Sequence, residues 1–163
     1  MKNPEYIPHK IYDVPSLLKQ VAIWKFLGKK VAFTNGCFDL LHQGHIAALS
    51  AAANEGDVLI VALNADISIK KLKGEDRPVN NQHSRSLIMA SLVMVDAVVV
   101  FEEETPLELI KIIMPDVLVK GGDYPIEEIV GAKEVIANGG RVTINPILEG
   151  FSTSGMIDKI NNC

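Results

Sequence analysis

VAFTNGCFDLLHQGHIAALSAAAN, the stretch that occupies residues 31–54, contains the local pattern that decides the fold. Its first part, Val31–Asn35, is a short run of apolar and β-branched residues, which is typical of a buried strand. A glycine-containing turn follows, and the alanine-rich segment His45–Asn54 is predicted to be a helix. A buried strand that leads through a short loop into a helix is the first half of a β-α-β unit, so the stretch predicts a parallel sheet.

The same alternation continues along the rest of the chain. Further strands are predicted at Val58–Leu63, Ala97–Phe101, Val117–Lys120 and Val142–Ile144. Helices are predicted at Pro15–Leu27, Ser84–Val95, Pro106–Met114 and Ser152–Ile160, and the polar segment Asn64–Asn81 is predicted to be a loop. We therefore expect a single α/β domain over residues 1–163, with about five parallel strands and the N-terminal helix 15–27 packed on the sheet.

Composition and charge exclude several classes of protein. The chain has 163 residues, of which 48% are hydrophobic and 22% charged, and this excludes a disordered or low-complexity chain. A net charge of -4 gives no long-range attraction to nucleic acid or to an anionic membrane, so neither is expected as a partner. Only two cysteines occur, Cys37 and Cys163, and no signal sequence or long apolar run is present. A cytoplasmic location is the expectation.

Two histidines, His42 and His45, lie where the helix after the first strand begins, with Gly44 between them. Ligands of open α/β sheets bind beyond the carboxyl ends of the strands, and a helix N-terminus offers free N–H groups to a phosphate. Residues three apart share one face, so both imidazoles can donate to one phosphate, and the glycine allows close approach. The pattern favours stabilisation of charge on an α-phosphate during nucleotidyl transfer. A zinc pair, for which only Cys37 is near, and two structural histidines are the alternatives.

Residues 70–85 form a second local feature, because five basic residues concentrate there in a chain that is acidic overall: Lys70, Lys71, Lys73, Arg77 and Arg85. Ammonium and guanidinium groups are good phosphate donors, so an anion site is one interpretation. A solvated polar loop is the other interpretation.

Two further segments are predicted to reach the same edge of the sheet. Lys120-Gly121-Gly122-Asp123 follows the fourth predicted strand, where Lys120 could contact a phosphate and Asp123 a sugar hydroxyl or the base. A plain turn explains these residues equally well. Hydroxyl side chains at residues 152–154 open the last helix, where they suit an N-cap, a phosphate contact, or both.

These motifs together resemble a known family. GCFDLLHQGH, residues 36–45, is similar to the signature of the HxGH nucleotidyltransferase, or cytidylyltransferase-like, superfamily. Four later segments resemble its D-glycero-β-D-manno-heptose 1-phosphate adenylyltransferase branch: Ala62–Asp66, Lys71–Asn80, Val119–Tyr124 and Gly131–Glu134. That branch also occurs as the C-terminal half of a bifunctional heptose kinase/adenylyltransferase. The resemblance extends from about Ile11 to Ile160, nearly the whole chain.

The resemblance implies a Rossmann-like, three-layer α/β/α fold and a reaction. The adenylyl group of ATP would pass to the heptose 1-phosphate, giving ADP-heptose for lipopolysaccharide core synthesis and pyrophosphate. Mg²⁺ would arrive with the triphosphate, with no metal held by the protein alone. A homodimer is one implied partner. A separate heptose kinase is the other, because a single domain is expected to account for the 163 residues. A CTP-dependent enzyme acting on glycerol 3-phosphate or a related alcohol phosphate, and a non-catalytic nucleotide-binding module, are the alternatives.

By the same resemblance, roles are assigned to individual residues. The predicted catalytic residues are His42, His45 and Lys73. The predicted nucleotide-binding residues are Asn35, Gly36, Cys37, Phe38, His42, Gly44, His45, Lys73, Arg77, Ser152, Thr153 and Ser154. The predicted substrate-binding residues are Asp39, Asn64, Asp66, Lys71, Arg85, Lys120, Gly121 and Asp123. Ile147 departs from the pattern, because several cytidylyltransferases carry an arginine there, and this weakens the glycerol phosphate alternative.

Overall fold

A six-stranded sheet forms the centre of the protein, and each of its five strand pairings is parallel. The structure, a computed structural model, describes residues 4–146, 148 and 150–162. The strands are β1 (Ile11–Tyr12), β2 (Val31–Gly36), β3 (Val58–Asn64), β4 (Ala97–Phe101), β5 (Val117–Gly121) and β6 (Arg141–Asn145), in the order β1-β4-β3-β2-β5-β6. The helices are α1 (Val14–Phe26), α2 (Gln43–Ala53), α3 (Asp66–Lys73), α4 (Gln82–Ser91), α5 (Leu107–Ile113), α6 (Ala132–Ala137) and α7 (Thr153–Asn161), with 3-10 helices at Pro4–Lys10 and Ile126–Glu128.

The predicted Rossmann-like α/β/α class is confirmed, and all five predicted strands are present within about one residue of their predicted bounds. The sixth strand, β1, was not predicted. It has two residues, which is too short for a periodic pattern, and it pairs with Val98 and Val99 at the edge of the sheet.

The prediction of a loop over Asn64–Asn81 is wrong, because α3 occupies part of it. Ser68 and Ile69 are buried on the inner side of this helix, and the Ser68 hydroxyl donates a hydrogen bond to the Glu102 carbonyl oxygen at 2.6 Å. The lysines of α3 face solvent, so the polar composition reflects an exposed helix face and not a loop. The short helix α6 was also not predicted.

Helices cover both faces of the sheet and create two apolar layers. On one face, α1, α5 and α6 contribute Leu17, Ile110 and Val135 to a cluster with Phe33. On the other face, α2 and α4 contribute residues such as Leu49 and Met89. Every residue of β3 is buried, as expected for a central parallel strand between two helix layers.

The chain reverses its direction of travel across the sheet between β2 and β5, which are neighbours. From β2 the chain continues to β3 and then β4 on one side, whereas β5 and β6 lie on the other side. A crevice opens at the carboxyl ends of the strands at such a point. The loops after β2, β3, β5 and β6 all meet there, so the topology places the motifs predicted from the sequence at one edge.

Candidate active site

A cavity of about 390 Å³ lies at the carboxyl ends of β2 and β5. Its walls come from the loop after β2, the start of α2, the end of α3, the end of β5 and the start of α7. The predicted site residues that line it are Asn35, Gly36, Cys37, Phe38, His42, Gly44, His45, Lys73, Lys120, Gly121, Ser152, Thr153 and Ser154. We call it the histidine cavity.

The two histidines form a stacked pair at the start of α2. The ring centroids of His42 and His45 are 3.7 Å apart with an angle of 19° between the planes. The ring of Phe38 packs edge-on against His45 at 5.2 Å. The Nδ1 atoms of both histidines are buried and find no hydrogen-bond partner among the residues that the structure describes. Buried polar atoms are normally satisfied, so these two nitrogens are exceptions, and both histidines line the histidine cavity.

The environment keeps both imidazoles neutral at pH 7. Burial, the neighbouring His42 and the positive charge of Lys73 lower the pKa of His45 to about 4, and a hydrogen bond to the backbone of Leu40 only partly opposes the shift. Burial also lowers the pKa of His42. A neutral imidazole carries one N–H donor and one acceptor nitrogen, so each ring can donate to a phosphate oxygen without being a cation beforehand.

Two glycines are needed for this packing. A Cβ atom at Gly44 would lie 3.1 Å from Cε1 of His42 and 3.2 Å from Cβ of Phe151, and one at Gly36 would lie 2.8 Å from Cε2 of Phe38. Phe38 itself has a φ of 44°, in the left-handed region, which turns its ring back over the strand end. The glycine in the histidine motif therefore also makes room for the His42 ring.

Two helix N-termini converge on the cavity. The helix α2 begins at Gln43 without a side-chain cap, and the His45 N–H of its first turn donates to the His42 carbonyl oxygen at 2.9 Å. At α7, Ser152 is the N-cap, and its Oγ accepts a hydrogen bond from the Gly155 N–H at 3.0 Å, as the cap prediction required. Helix N-termini favour anions. Ile147, the departure noted in the sequence, lies outside the described residues.

Arg85 occupies a different place from the one predicted. Its side chain is 0% exposed, and Nη2 donates to Asp66 Oδ1 at 2.7 Å. Its other hydrogen bonds run to the carbonyl oxygens of Cys37, Asn64 and Asn80. The prediction that Arg85 binds substrate is wrong, because a fully buried guanidinium with these acceptors has no surface to offer. The side chain of Asp66, its partner, is 31% exposed and also accepts a hydrogen bond from the Gln82 N–H at 3.0 Å.

Asp39 and Arg77 form a second internal ion pair. Both Nε and Nη2 of Arg77 lie 2.8 Å from Oδ2 of Asp39, and the N–H groups of Val79 and Asn80 donate to the same carboxylate. Burial raises the pKa of Asp39, but these hydrogen bonds outweigh it and lower the pKa overall. With 1% of its side chain exposed, Asp39 holds the segment after α3 in place, so its predicted contact with substrate is wrong. Arg77 lines neither the histidine cavity nor its neighbour described below.

Of the remaining predicted residues, Asn64 and Lys120 line a second cavity of about 340 Å³ beside the first. Lys71 lines a separate small depression, and Asp123 lines neither main cavity. Sequence reasoning missed Phe151, whose ring lies 6.5 Å from that of His42, and Pro146. The sequence offered one signal for Phe151, because it is an aromatic residue directly before the hydroxyl-rich start of the last helix.

Metal ligands are scarce in the part of the chain that the structure describes, where no group of three or more His, Cys, Asp or Glu side chains is placed to hold an ion. The polar side chains of the histidine cavity are imidazoles, ammonium groups, hydroxyls, one amide and one thiol. These suit anionic oxygen atoms better than a hard divalent cation.

Comparison with known proteins identifies the class. The family model "Cytidylyltransferase-like" matches residues 33–159, and the chain belongs to that family. The nucleotidyltransferase class predicted from the sequence is thereby confirmed. The bifunctional protein HldE of Mesorhizobium japonicum is 52% identical over 150 residues, which is 92% of this chain and 30% of the relative. The HldE protein of Caulobacter vibrioides is 50% identical over 153 residues, which is 94% of this chain and 32% of the relative. The chain thus spans less than a third of the length of these relatives.

Solved structures agree with this assignment. A lipopolysaccharide core biosynthesis protein from Thermoplasma volcanium superposes with a TM-score of 0.59 at 27% identity, covering 74% of this chain and 98% of the other. A pantoate-beta-alanine ligase from Francisella tularensis superposes with a TM-score of 0.57 at 19% identity, covering 89% of this chain and 69% of the other, and shows the shared fold alone. Among the described helices, none has the length and apolar character to cross a membrane.

Proposed function

We propose that the protein transfers the adenylyl group of ATP to D-glycero-β-D-manno-heptose 1-phosphate, giving ADP-heptose and pyrophosphate for lipopolysaccharide core synthesis. The observation that carries this proposal is the stacked pair of His42 and His45, which faces the same cavity as Lys73 and the first turn of α7. The similarity to HldE proteins and to a structure described as a lipopolysaccharide core biosynthesis protein supports the choice of acceptor.

The chain's own groups would act through position and charge. An oxygen of the heptose 1-phosphate attacks the α-phosphorus of ATP, the new O–P bond forms as the bond to the β-phosphate oxygen breaks, and pyrophosphate leaves. The N–H groups of His42 and His45 would donate to the α-phosphate oxygens as negative charge builds on them. Lys73 and the N-terminus of α7 would hold the β- and γ-phosphates that depart.

Mg²⁺ is proposed to enter with the triphosphate. This fits a cavity whose side chains are imidazoles, ammonium groups and hydroxyls, because Mg²⁺ commonly binds through substrate phosphates while keeping several waters. When bound, it would neutralise part of the charge of the triphosphate.

Two partners complete the proposal. A heptose kinase is proposed, from the family resemblance, to supply the 1-phosphate. A homodimer is also proposed from the family resemblance, and Ile23, Phe26 and Leu27 at the end of α1 are exposed apolar side chains suited to such a contact. Light scattering of the purified protein tests the dimer.

The reaction is tested by measuring pyrophosphate release in the presence of Mg²⁺. ATP or CTP is combined with heptose 1-phosphate, glycerol 3-phosphate or phosphoethanolamine, and a His42→Ala/His45→Ala variant purified in parallel measures contaminating activity. Release with ATP and the heptose phosphate alone is expected. Release with CTP and an alcohol phosphate would keep the histidine chemistry and overturn the substrate. If no pair of substrates releases pyrophosphate, the result would favour a non-catalytic nucleotide-binding module.

A further inference from the structure

The second cavity shares a wall with the histidine cavity. Its volume is about 340 Å³, within the range of small-molecule sites, which is about 300–1,000 Å³. The two cavities have four residues in common: Asn35, Gly36, Cys37 and Lys120. A ligand in the second cavity would therefore reach the reacting end of a nucleotide bound in the first. We call it the acceptor cavity.

The inner end of the acceptor cavity holds donors that lack partners. Asn64 is 6% exposed, its Oδ1 lies 3.9 Å from the thiol of Cys37, and its amide nitrogen has no hydrogen-bond partner within the described ranges. The ammonium group of Lys120 is half-buried, and none of the described carboxylates pairs with it. Donors that line a cavity without a protein partner are available to an anionic ligand.

The outer end has the opposite charge. Glu104 and Thr105, which precede α5, line the cavity, as does Glu128 in the 3-10 helix after β5, and all three residues are exposed. Tyr124 lines the cavity as well. Gly122 makes this possible, because a Cβ atom there, at a φ of 133°, would overlap the tyrosine ring. Carboxylates accept hydrogen bonds from sugar hydroxyls and repel anions.

We propose that this cavity binds the acceptor with its single phosphate at Lys120 and Asn64, and that Glu104 and Glu128 select an uncharged polyhydroxyl body at the outer end. An acceptor that carries a second anionic group at its far end would meet two carboxylates and be rejected. This inference rests on the proposed function for the identity of the acceptor. The residues that it assigns, Glu104, Thr105 and Glu128, were not among those predicted from the sequence.

The test uses isosteric variants on exposed positions. Glu104→Gln and Glu128→Gln remove charge and keep shape, and Glu127→Gln, an exposed neighbour that lines neither cavity, is the matched control. Each Gln variant of the cavity is expected to raise the KM for heptose 1-phosphate about tenfold, the typical effect of a lost charged hydrogen bond, with the KM for ATP unchanged. Inhibition by D-glucose 1,6-bisphosphate should strengthen about tenfold in the double variant as the repulsion is removed.

Several results would overturn the assignment. A rise in the KM for ATP instead would place the nucleotide base in this cavity, and kinetics equal to those of Glu127→Gln would leave the carboxylates without a role.

Failure of the proposed function is distinguishable from either result. If the wild-type protein uses CTP and glycerol 3-phosphate, the cavity variants must change the KM of that alcohol phosphate and not of CTP. If no pair reacts, calorimetry with heptose 1-phosphate must show binding that Glu128→Gln weakens and Glu127→Gln does not, and absence of that difference overturns the proposal.

Discussion

The polar groups at the amino end of the sheet have hydrogen-bond partners within the fold, whereas, among the described residues, several of those at the carboxyl end do not. At the amino end, three aspartates stand just before β3, β4 and β5, and each carboxylate accepts a hydrogen bond from a backbone N–H of a neighbouring strand. The donors are Lys30 to Asp57 at 2.8 Å, Leu59 to Asp96 at 2.8 Å and Val31 to Asp116 at 2.7 Å. These bonds hold adjacent strands together where their β pairing begins.

At the carboxyl end, several of the groups that line the cavities lack such partners. His42 and His45 have buried ring nitrogens without a hydrogen bond, and Lys120 has no carboxylate partner, within the part of the chain that is described. Satisfied polar groups stabilise a fold, whereas fixed but unsatisfied groups are ready for the charge of a ligand. One end of the sheet therefore holds polar groups that stabilise the fold, and the other holds the groups to which the proposed function assigns binding.

Arg85 and the Asp39–Arg77 pair are exceptions at the carboxyl end, and removal of Arg85 should have the largest effect. Arg85→Met leaves Asp66 and three carbonyl oxygens without their donor, so we expect the free energy of unfolding in urea to fall by about 3–5 kcal/mol. Arg141→Met is the control, because its exposed pair with Glu55 should contribute about 1 kcal/mol or less. Equal losses in the two variants would contradict the role of Arg85 in joining the loops after β2 and β3.

His45→Ala should have the next largest effect, on catalysis and not on stability. Loss of one preorganised donor lowers kcat by about 100- to 1,000-fold, and ATP affinity should change much less. The control is His83→Ala, an exposed histidine of α4 that lines neither cavity. Single-turnover kinetics measure the rate of the chemical step, and a calorimetric titration measures the affinity for ATP. If the kcat of His45→Ala is close to that of His83→Ala, the result would contradict the distinction between the two ends of the sheet.

The sequence predicted the architecture better than the roles of single residues. Buried strands and alanine-rich helices have strong local patterns, so the strands and the histidine motif were placed correctly. Arg85 and Asp39 were misassigned because a charged residue in a polar segment has the same local pattern whether it faces solvent or a buried partner. Glu104 and Glu128 carry no local signal, since only the folding of two separate segments brings them to one cavity.

A smaller effect is expected at the amino end of the sheet. Asp116→Ala removes the acceptor of the Val31 N–H, so the free energy of unfolding should fall by about 1–2 kcal/mol while kcat stays at the wild-type value. Asp76→Ala, in an exposed turn, is the stability control. A large loss of kcat in Asp116→Ala at a temperature where it remains folded would mean that the two ends are coupled.

The smallest effect concerns the pKa of His45, which is lowered to about 4 by burial, by His42 and by Lys73. NMR titration of the His45 ring in the free protein should confirm this value. Lys73→Ala removes one positive charge and should raise the pKa, whereas Lys133→Ala, on the exposed side of α6, should leave it unchanged. A wild-type pKa near the ordinary value of about 6.5 would contradict the effect of burial and of the neighbouring groups on the ring.

The lowered pKa of His45 also determines the direction in which the stability of the protein changes with pH. Because the folded-state value of about 4 lies below the unfolded value, the unfolded chain binds more protons between the two, and stability falls as the pH decreases through that window. Urea unfolding at pH 7 and pH 5 should therefore show a smaller difference for His45→Ala than for the wild type. Bound ATP should reduce the difference in the wild type as well, because phosphate oxygens favour the protonated ring. The carboxyl end is then stabilised by its ligand, whereas the amino end is already stabilised by its own aspartates.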